Sequence, residues 1–275
     1  IGQQAGNTTQ SDFAVAVGNL AGETSQGLGA VAVGYYAGKT TQGSGAVALG
    51  DQAGETTQGA EAIAIGKQAG ETTQANYAQA IGNSAGKSGQ SQGAVALGSE
   101  AGETTQGTKA VAIGNYAGQT TQGTNATAVG NAAGSTSQGA SAVALGDQAG
   151  VTSQGAGATA VGKFAGNDTQ GTSAVAIGDV AGQTTQGNHA TAVGTQAGKT
   201  NQGANAIAMG HRAGEVNQAA TSIVINASGS TLNNIIADTL VVKPVRNTTM
   251  TTILGYDAAS GEIMHNAAIP GYTNT

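Results

Sequence analysis

The stretch LGSEAGETTQGTKAVA (residues 97–112) is followed at once by IGNYAGQTTQGTNATA (residues 113–128), and the two align without a gap. Each opens on a large apolar residue and Gly, carries Ala-Gly at its fifth and sixth places, Gln at its tenth, and Ala at its fourteenth and sixteenth. Working outward in both directions, the same sixteen-residue frame fits residues 1–224 as fourteen rows with no insertion or deletion. A period of that regularity has to be read before anything else. Column 1 is Val, Ile, Leu or Met in every row, column 2 always Gly, column 5 always Ala and column 6 always Gly. Column 10 admits only Gln: Gln10, Gln26, Gln42, Gln58, Gln74, Gln90, Gln106, Gln122, Gln138, Gln154, Gln170, Gln186, Gln202 and Gln218. Columns 14 and 16 depart from Ala only at Ser222 and Val224, in the last row, where a terminal repeat is expected to deviate.

Columns 14 to 2, as in Ala46-Val47-Ala48-Leu49-Gly50, alternate with the period of two that marks a strand. A helix would carry two glycines per row at about 1 kcal/mol each relative to Ala. The pattern therefore predicts one strand at columns 14–2 and a second at about 5–10, with turns near 3–4 and 11–13. Stacked, the rows form an all-β fold, a parallel β-solenoid (β-roll) of fourteen sixteen-residue rungs, roughly 65–70 Å long. Invariant Gln follows from chemistry, because an amide both donates and accepts and so bonds its copies above and below. Column 1 is expected to supply the one large buried side chain of each rung, with the Ala/Gly face against a neighbouring backbone. So little burial per ordered residue predicts symmetric self-association that covers the Ala/Gly face.

Composition narrows the function. With 47 glycines, no Cys and 9% charged residues, the chain fits no ordinary globular class. A net charge of −6, with only nine Lys and Arg, excludes phosphate-directed binding, so no nucleic acid partner is expected. No run of eighteen apolar residues exists, and membrane insertion is not expected. Ile1 falls in phase with the repeat, which predicts that the chain begins inside a longer array. Most charges of the array occupy columns 3, 4 and 7, which must face water; stacked Glu55 and Glu71 require it.

From residue 225 the period breaks, and the only prolines, Pro244 and Pro270, appear. Residues 225–275 are read as a small β-rich C-terminal cap, separate from the solenoid of residues 1–224. Within it, Thr252–Tyr256 and Ile263–His265 flank Asp257–Glu262 as a hairpin expected to close the open edge.

The rows typified by Ala110-Val111-Ala112-Ile113-Gly114 resemble the strand motif in the heads of trimeric autotransporter adhesins, which are parallel β-rolls. The fuller pattern, apolar-Gly-x-x-Ala-Gly-x-Thr-x-Gln-Gly, is similar to repeats in tail and attachment fibres of phages and large DNA viruses. Ser222–Gly229 and Val241–Arg246 resemble the segment that follows those repeats. The resemblance implies a homotrimeric, extracellular fibre on a virion or cell surface, attaching to a glycan or host receptor. A purely architectural filament is the alternative.

Other chemistry fits less well. Val17-Gly18-Asn19-Leu20-Ala21-Gly22 matches the hexapeptide of β-helix acyltransferases, but only once per row, and His189, His211 and His265 lie in different contexts. Asp51, Asp147 and Asp179 share column 3 but sit far apart along the axis. The glycines precede no helix and no Lys-Ser/Thr pair. No catalytic, metal or cofactor residues are therefore expected. Ice binding through column 8 Thr is set aside because Thr8 and Thr9 should point to opposite faces. Tyr35, Tyr36, Tyr116 and Phe164, in the turn at columns 3–4, are candidate surface ligand contacts.

Overall fold

The computed structural model describes residues 1–245, 253–257 and 262–266, and among them there is no helix. The chain divides into two units, residues 1–243 and residues 244–275.

The first unit is a parallel β-solenoid. Its long sheet has fifteen strands, from Val15–Val17 to Leu240–Lys243. Each of the repeat's strands spans column 15, column 16 and the next column 1, and pairs with its copy sixteen residues on, as in Val111↔Thr127, Ala112↔Ala128 and Ile113↔Val129. The opposite wall is made of two-residue strands at columns 9–10, such as Thr121–Gln122. This wall is split into sheets of five and six strands, joined through single bridges at Gln90. The split has a local cause: Gly89, at φ 75°, replaces the Thr or Ser that extends the strand elsewhere.

Both strands are shorter than the expected 14–2 and 5–10, because the flanking residues are consumed by turns. In the row at 113–128, Ala117 N–H donates to Gly114 O at 3.3 Å and Ala126 N–H to Gly123 O at 3.2 Å. The third residue of each turn, Tyr116 or Asn125, has positive φ, as in a type II turn. The turns stack as well: Tyr116 N–H reaches Ser99 O and Asn125 N–H reaches Thr108 O, both at 3.0 Å, one rung back. Backbone pairing therefore continues around the corners, where an isolated turn would leave it to water.

The interior corrects the expected burial. Ala117, Ala126 and Ala128 are fully buried with Gln122, and the same four columns recur from rung to rung. Column 1, expected inside, points out: Leu49, Leu145 and Met209 are 44%, 36% and 47% exposed. The Ala face lies within the chain's own coil, so it is not free for a neighbour. Within the repeat, space between the walls admits Ala and one extended amide but no Leu. Glycine at column 2 reflects the same tightness, since a Cβ on Gly146 (φ 130°) would lie 2.8 Å from Gly162 O in the next rung. At column 6 a Cβ on Gly118 would meet the Gln122 amide at 3.0 Å.

The sheet does not stop with the last repeat. Ile223–Asn226 pairs with Leu240–Lys243, so residues 225–243 belong to the solenoid rather than to a separate cap. This final rung is rebuilt from different residues. Gly214 N–H donates to Leu232 O, Ala219 N–H to Asn234 O and Ile223 N–H to Thr239 O. These bonds put Leu232, Asn234 and Thr239 in the places of the column 5 Ala, the column 10 Gln and the column 14 Ala. In the second unit, Ile253–Asp257 and Glu262–Asn266 form an antiparallel pair; the connecting residues 258–261, and Thr252, lie outside the described residues.

Candidate assembly and contact faces

The rungs are clamped from inside by column 10. Gln122 Nε2 donates to Val111 O in the preceding strand at 2.7 Å and to Gln138 Oε1 in the next rung at 3.1 Å; its Oε1 accepts from Gln106 Nε2 at 3.1 Å. The amide chain runs unbroken from Gln74 to Gln218. Gln10–Gln26 and Gln42–Gln58 are separate links. Where the chain is interrupted, Gln42 Oε1 and Gln74 Oε1 are buried without a donor. From Gln26 to Gln218 each amide donates to a carbonyl of the long sheet, so the ladder ties the two walls of the coil together as well as successive rungs.

The outward side of the long sheet is a candidate assembly face. Columns 15 and 1 put two files of mainly Val, Ile and Leu along all fifteen strands, continued by Ile225, Leu240 and Val242 in the final rung. No charged side chain interrupts either file between Val15 and Val242. At about 4.8 Å per strand and roughly 10 Å width, the face covers on the order of 700 Å², more than the few hundred common on a soluble monomer.

The opposite wall presents hydroxyls. Thr40 and Thr41, Thr56 and Thr57, and Thr104 and Thr105 are all exposed. The expected opposition of columns 8 and 9 fails because column 8 lies in a bend before the strand, and only column 9 obeys strand alternation. The double file is broken at Gly89, Asp168 and Asn201 and ends at Val216 and Asn217.

The aromatic candidates are dispersed. Tyr35 and Tyr36 touch, with ring centroids 4.0 Å apart, and Lys39 Nζ stands 4.2 Å above the Tyr36 ring. Tyr116 is five rungs away, about 24 Å, and Phe164, under Lys163, three more, about 14 Å. No single site holds all four. Column 7 resolves the crowding of Glu55 and Glu71 by turning outward to opposite neighbours: Lys39 lies 3.9 Å from Glu55 and Lys87 3.6 Å from Glu71. Asp51, Asp147 and Asp179 remain separate, and among the described residues no cluster of three His, Asp or Glu is placed to hold a metal.

Sequence reading missed the terminal polar network. Glu215 is buried, accepts from Arg212 Nε at 2.8 Å and Nη2 at 3.3 Å, and accepts from the Thr231 hydroxyl. Hydrogen bonding to Arg212 holds its carboxyl below the ordinary range, against the effect of burial. Asn226 Nδ2 donates to His211 O at 2.8 Å and to Ser230 O at 2.6 Å. The available signal was the replacement of column 2 Gly by Asn226 one residue after the last apolar column 1 side chain, Ile225. No known protein family, no curated protein and no solved structure matches the chain.

Proposed function

We propose that the chain is a structural element of an extracellular attachment fibre, assembled as a homotrimer through columns 15 and 1. The observation that carries this reading is the mainly apolar face of the long sheet, which no charged side chain interrupts. In a trimer three faces of about 700 Å² bury roughly 2,100 Å² in all, the scale of a stable assembly. The occupant of each face is a second copy, because a partner must match a two-file stripe as long as the solenoid itself. The amide ladder and stacked turns supply stiffness, and the variable residues of columns 3, 4 and 7 supply the surface offered to a glycan or host receptor. Sedimentation of the purified chain should give three times the chain mass, and a monomer mass would defeat the reading. Binding to cells or a glycan array supports attachment, whereas end-to-end growth with no such binding supports the architectural filament.

A second reading has one observation in its favour, the double file of exposed Thr at columns 8 and 9. Such a file orders water on a regular lattice, and ice binding predicts thermal hysteresis in the purified protein. Its absence at high protein concentration removes this reading and leaves the first untouched.

A further inference from the structure

A shallow cleft of about 270 Å³ opens on the short-strand wall, lined by Thr57 and Thr73 of column 9, Gly59 and Ala75 of column 11, and Asn76 and Gln92 of column 12. Here the repeat departs from itself. Ala75 and Ser91 stand in a column that is otherwise Gly from Gly27 to Gly203, Gly89 replaces the Thr or Ser of column 9, and Asn76 and Gln92 put amides on successive rungs. Asn76 Oδ1 accepts from Ala60 N–H at 2.9 Å, which orients the amide and leaves its Nδ2 free to donate outward. The side chains of Thr57, Thr73 and Gln92 are exposed and have no partner among the described residues. The backbone is open beside them. Thr57 N–H donates to Thr72 O at 3.0 Å, but where Gly89 (φ 75°) bends the next rung, the equivalent Thr73 N–H finds no acceptor in the chain.

We infer that this cleft binds one neutral pyranose ring of a glycan. That the ring belongs to a glycan rests on the attachment reading proposed above; the cleft itself lies away from columns 3, 4 and 7 and stands on its own geometry. Its lining carries hydroxyls and amides, which both donate and accept, and no charged side chain. A metal ion or a phosphate would find no opposite charge there. A peptide would find no sheet edge to extend, because the rungs of this wall are already paired above and below. The hydroxyls of a sugar exchange water for such groups one for one, and the methyl groups of Thr57, Thr73 and Ala75 suit the C–H face of a ring. Volume sets the size of the ligand. At about 270 Å³ the cleft falls just below the usual range for small-molecule sites, about 300–1,000 Å³, so it takes a single ring and leaves the rest of a glycan in solvent.

Placement suits presentation. The cleft is on the wall opposite the long sheet, so copies that meet through columns 15 and 1 leave it open. One ring held in a shallow site is expected to bind with a Kd of about a millimolar. Several clefts on one multimer would raise the apparent affinity for a glycan-covered surface by about 100-fold or more. The regular rungs offer a natural comparison. Asn188 repeats the Asn76 contact, its Oδ1 accepting from Thr172 N–H at 2.9 Å, but the next residue of column 12 is Ala204, and Thr169 and Thr185 of column 9 stand in unbroken strands. That place has one amide where the cleft has two.

The test applies saturation-transfer NMR to the full chain. The probes are the methyl glycosides of glucose, galactose, mannose and N-acetylglucosamine, with glucuronic acid as the charged comparison. At least one neutral glycoside should bind, and more tightly than glucuronic acid. Thr73→Val keeps the shape and removes the hydroxyl; Asn76→Asp keeps an acceptor for Ala60 N–H and removes the outward donor. Each should weaken binding by about five- to tenfold, with hydrogen exchange of the surrounding rungs unchanged. The same changes in the regular rungs, Thr169→Val and Asn188→Asp, should have no effect. Binding of no neutral glycoside, tighter binding of glucuronic acid, or equal losses in the two pairs of variants overturns the cleft. Cell or glycan-array binding that survives both Thr73→Val and Asn76→Asp overturns the cleft and leaves the attachment reading intact. Glycosides bound in the cleft by a chain that attaches to no cell or glycan surface uphold the site and overturn attachment.

Discussion

Replacing Gln122 by Leu tests whether column 10 is a clamp or only a filler. Leu keeps most of the volume, so the change isolates the amide. Three short hydrogen bonds are lost, to Val111 O, to Gln138 Oε1 and from Gln106 Nε2, together with a longer one to Ala126 O at 3.4 Å. Gln138 Oε1 is left buried without the donor it has in the native ladder, and such an orphan costs about 1–3 kcal/mol. The remaining bonds add about 1 kcal/mol each, so the rung should lose roughly 3–5 kcal/mol. In a nearest-neighbour stack the loss is local. Hydrogen exchange should therefore accelerate by about 100-fold or more in residues 97–144, with remote rungs little changed. Gln122→Glu supplies the control. A protonated carboxyl keeps one donor for Val111 O, whereas a carboxylate sets negative oxygen against two acceptors in a buried site with no cation. Its folded pKa is thus expected above the unfolded value of about 4.3. Stability of that variant should be greatest below about pH 4 and fall as pH rises through the raised folded value. Unchanged protection in the Leu variant, or a Glu variant indifferent to pH, would refute the clamp.

Val180 occupies the positive-φ position of its turn at φ 61°, a region that a β-branched residue enters at about 1–2 kcal/mol; Val180→Asn should raise the urea midpoint by a corresponding ~1 kcal/mol, and a lowered midpoint would contradict the strain. Gly146→Ala should cost at least about 2 kcal/mol in the same assay, because both the conformation and Gly162 O oppose a methyl group. Glu215→Gln should loosen the final rung by about 1 kcal/mol at neutral pH, Arg212 being partly exposed. Since the native carboxyl is held low by Arg212, its contribution is complete above the ordinary carboxylate pKa and disappears as pH falls through the folded value. Exchange protection of residues 211–234 should therefore differ between variant and native protein at pH 7 and converge in acid.

The rung length, the parallel stacking and the amide column were legible because each is a strict consequence of identity at a fixed spacing. The sidedness of the long strand was not. Alternation in Ala46-Val47-Ala48-Leu49-Gly50 defines two faces but does not say which is inside, and the usual preference for burying the larger residue pointed the wrong way. The deciding quantity is the gap between the walls, and that is set by Gln58 and its copies reaching across to the carbonyls of the long sheet. A gap bridged by one amide leaves room for Ala46 and Ala48 but not for Leu49. The final rung was hidden for a related reason. Leu232, Asn234 and Thr239 rebuild the inner positions at spacings unlike the repeat's, so the loss of period at residue 225 looked like the end of the fold.

That inversion also accounts for the pattern of variation along the chain. Inside, five columns are locked by contact: Ala at 5, 14 and 16 meets the Gln amide, and Gly at 2 and 6 meets backbone or amide with no space for a methyl group. Outside, column 15 tolerates Val, Ile, Thr and Gln with the backbone register unchanged, as Gln79↔Val95 and Val111↔Thr127 show. The stability of a rung is thus set by residues that scarcely vary, which leaves the outward files free to change. A conventional core, in which the large apolar residues face inward, would couple the two, and a change in the outward pattern could not then be made without repacking the interior.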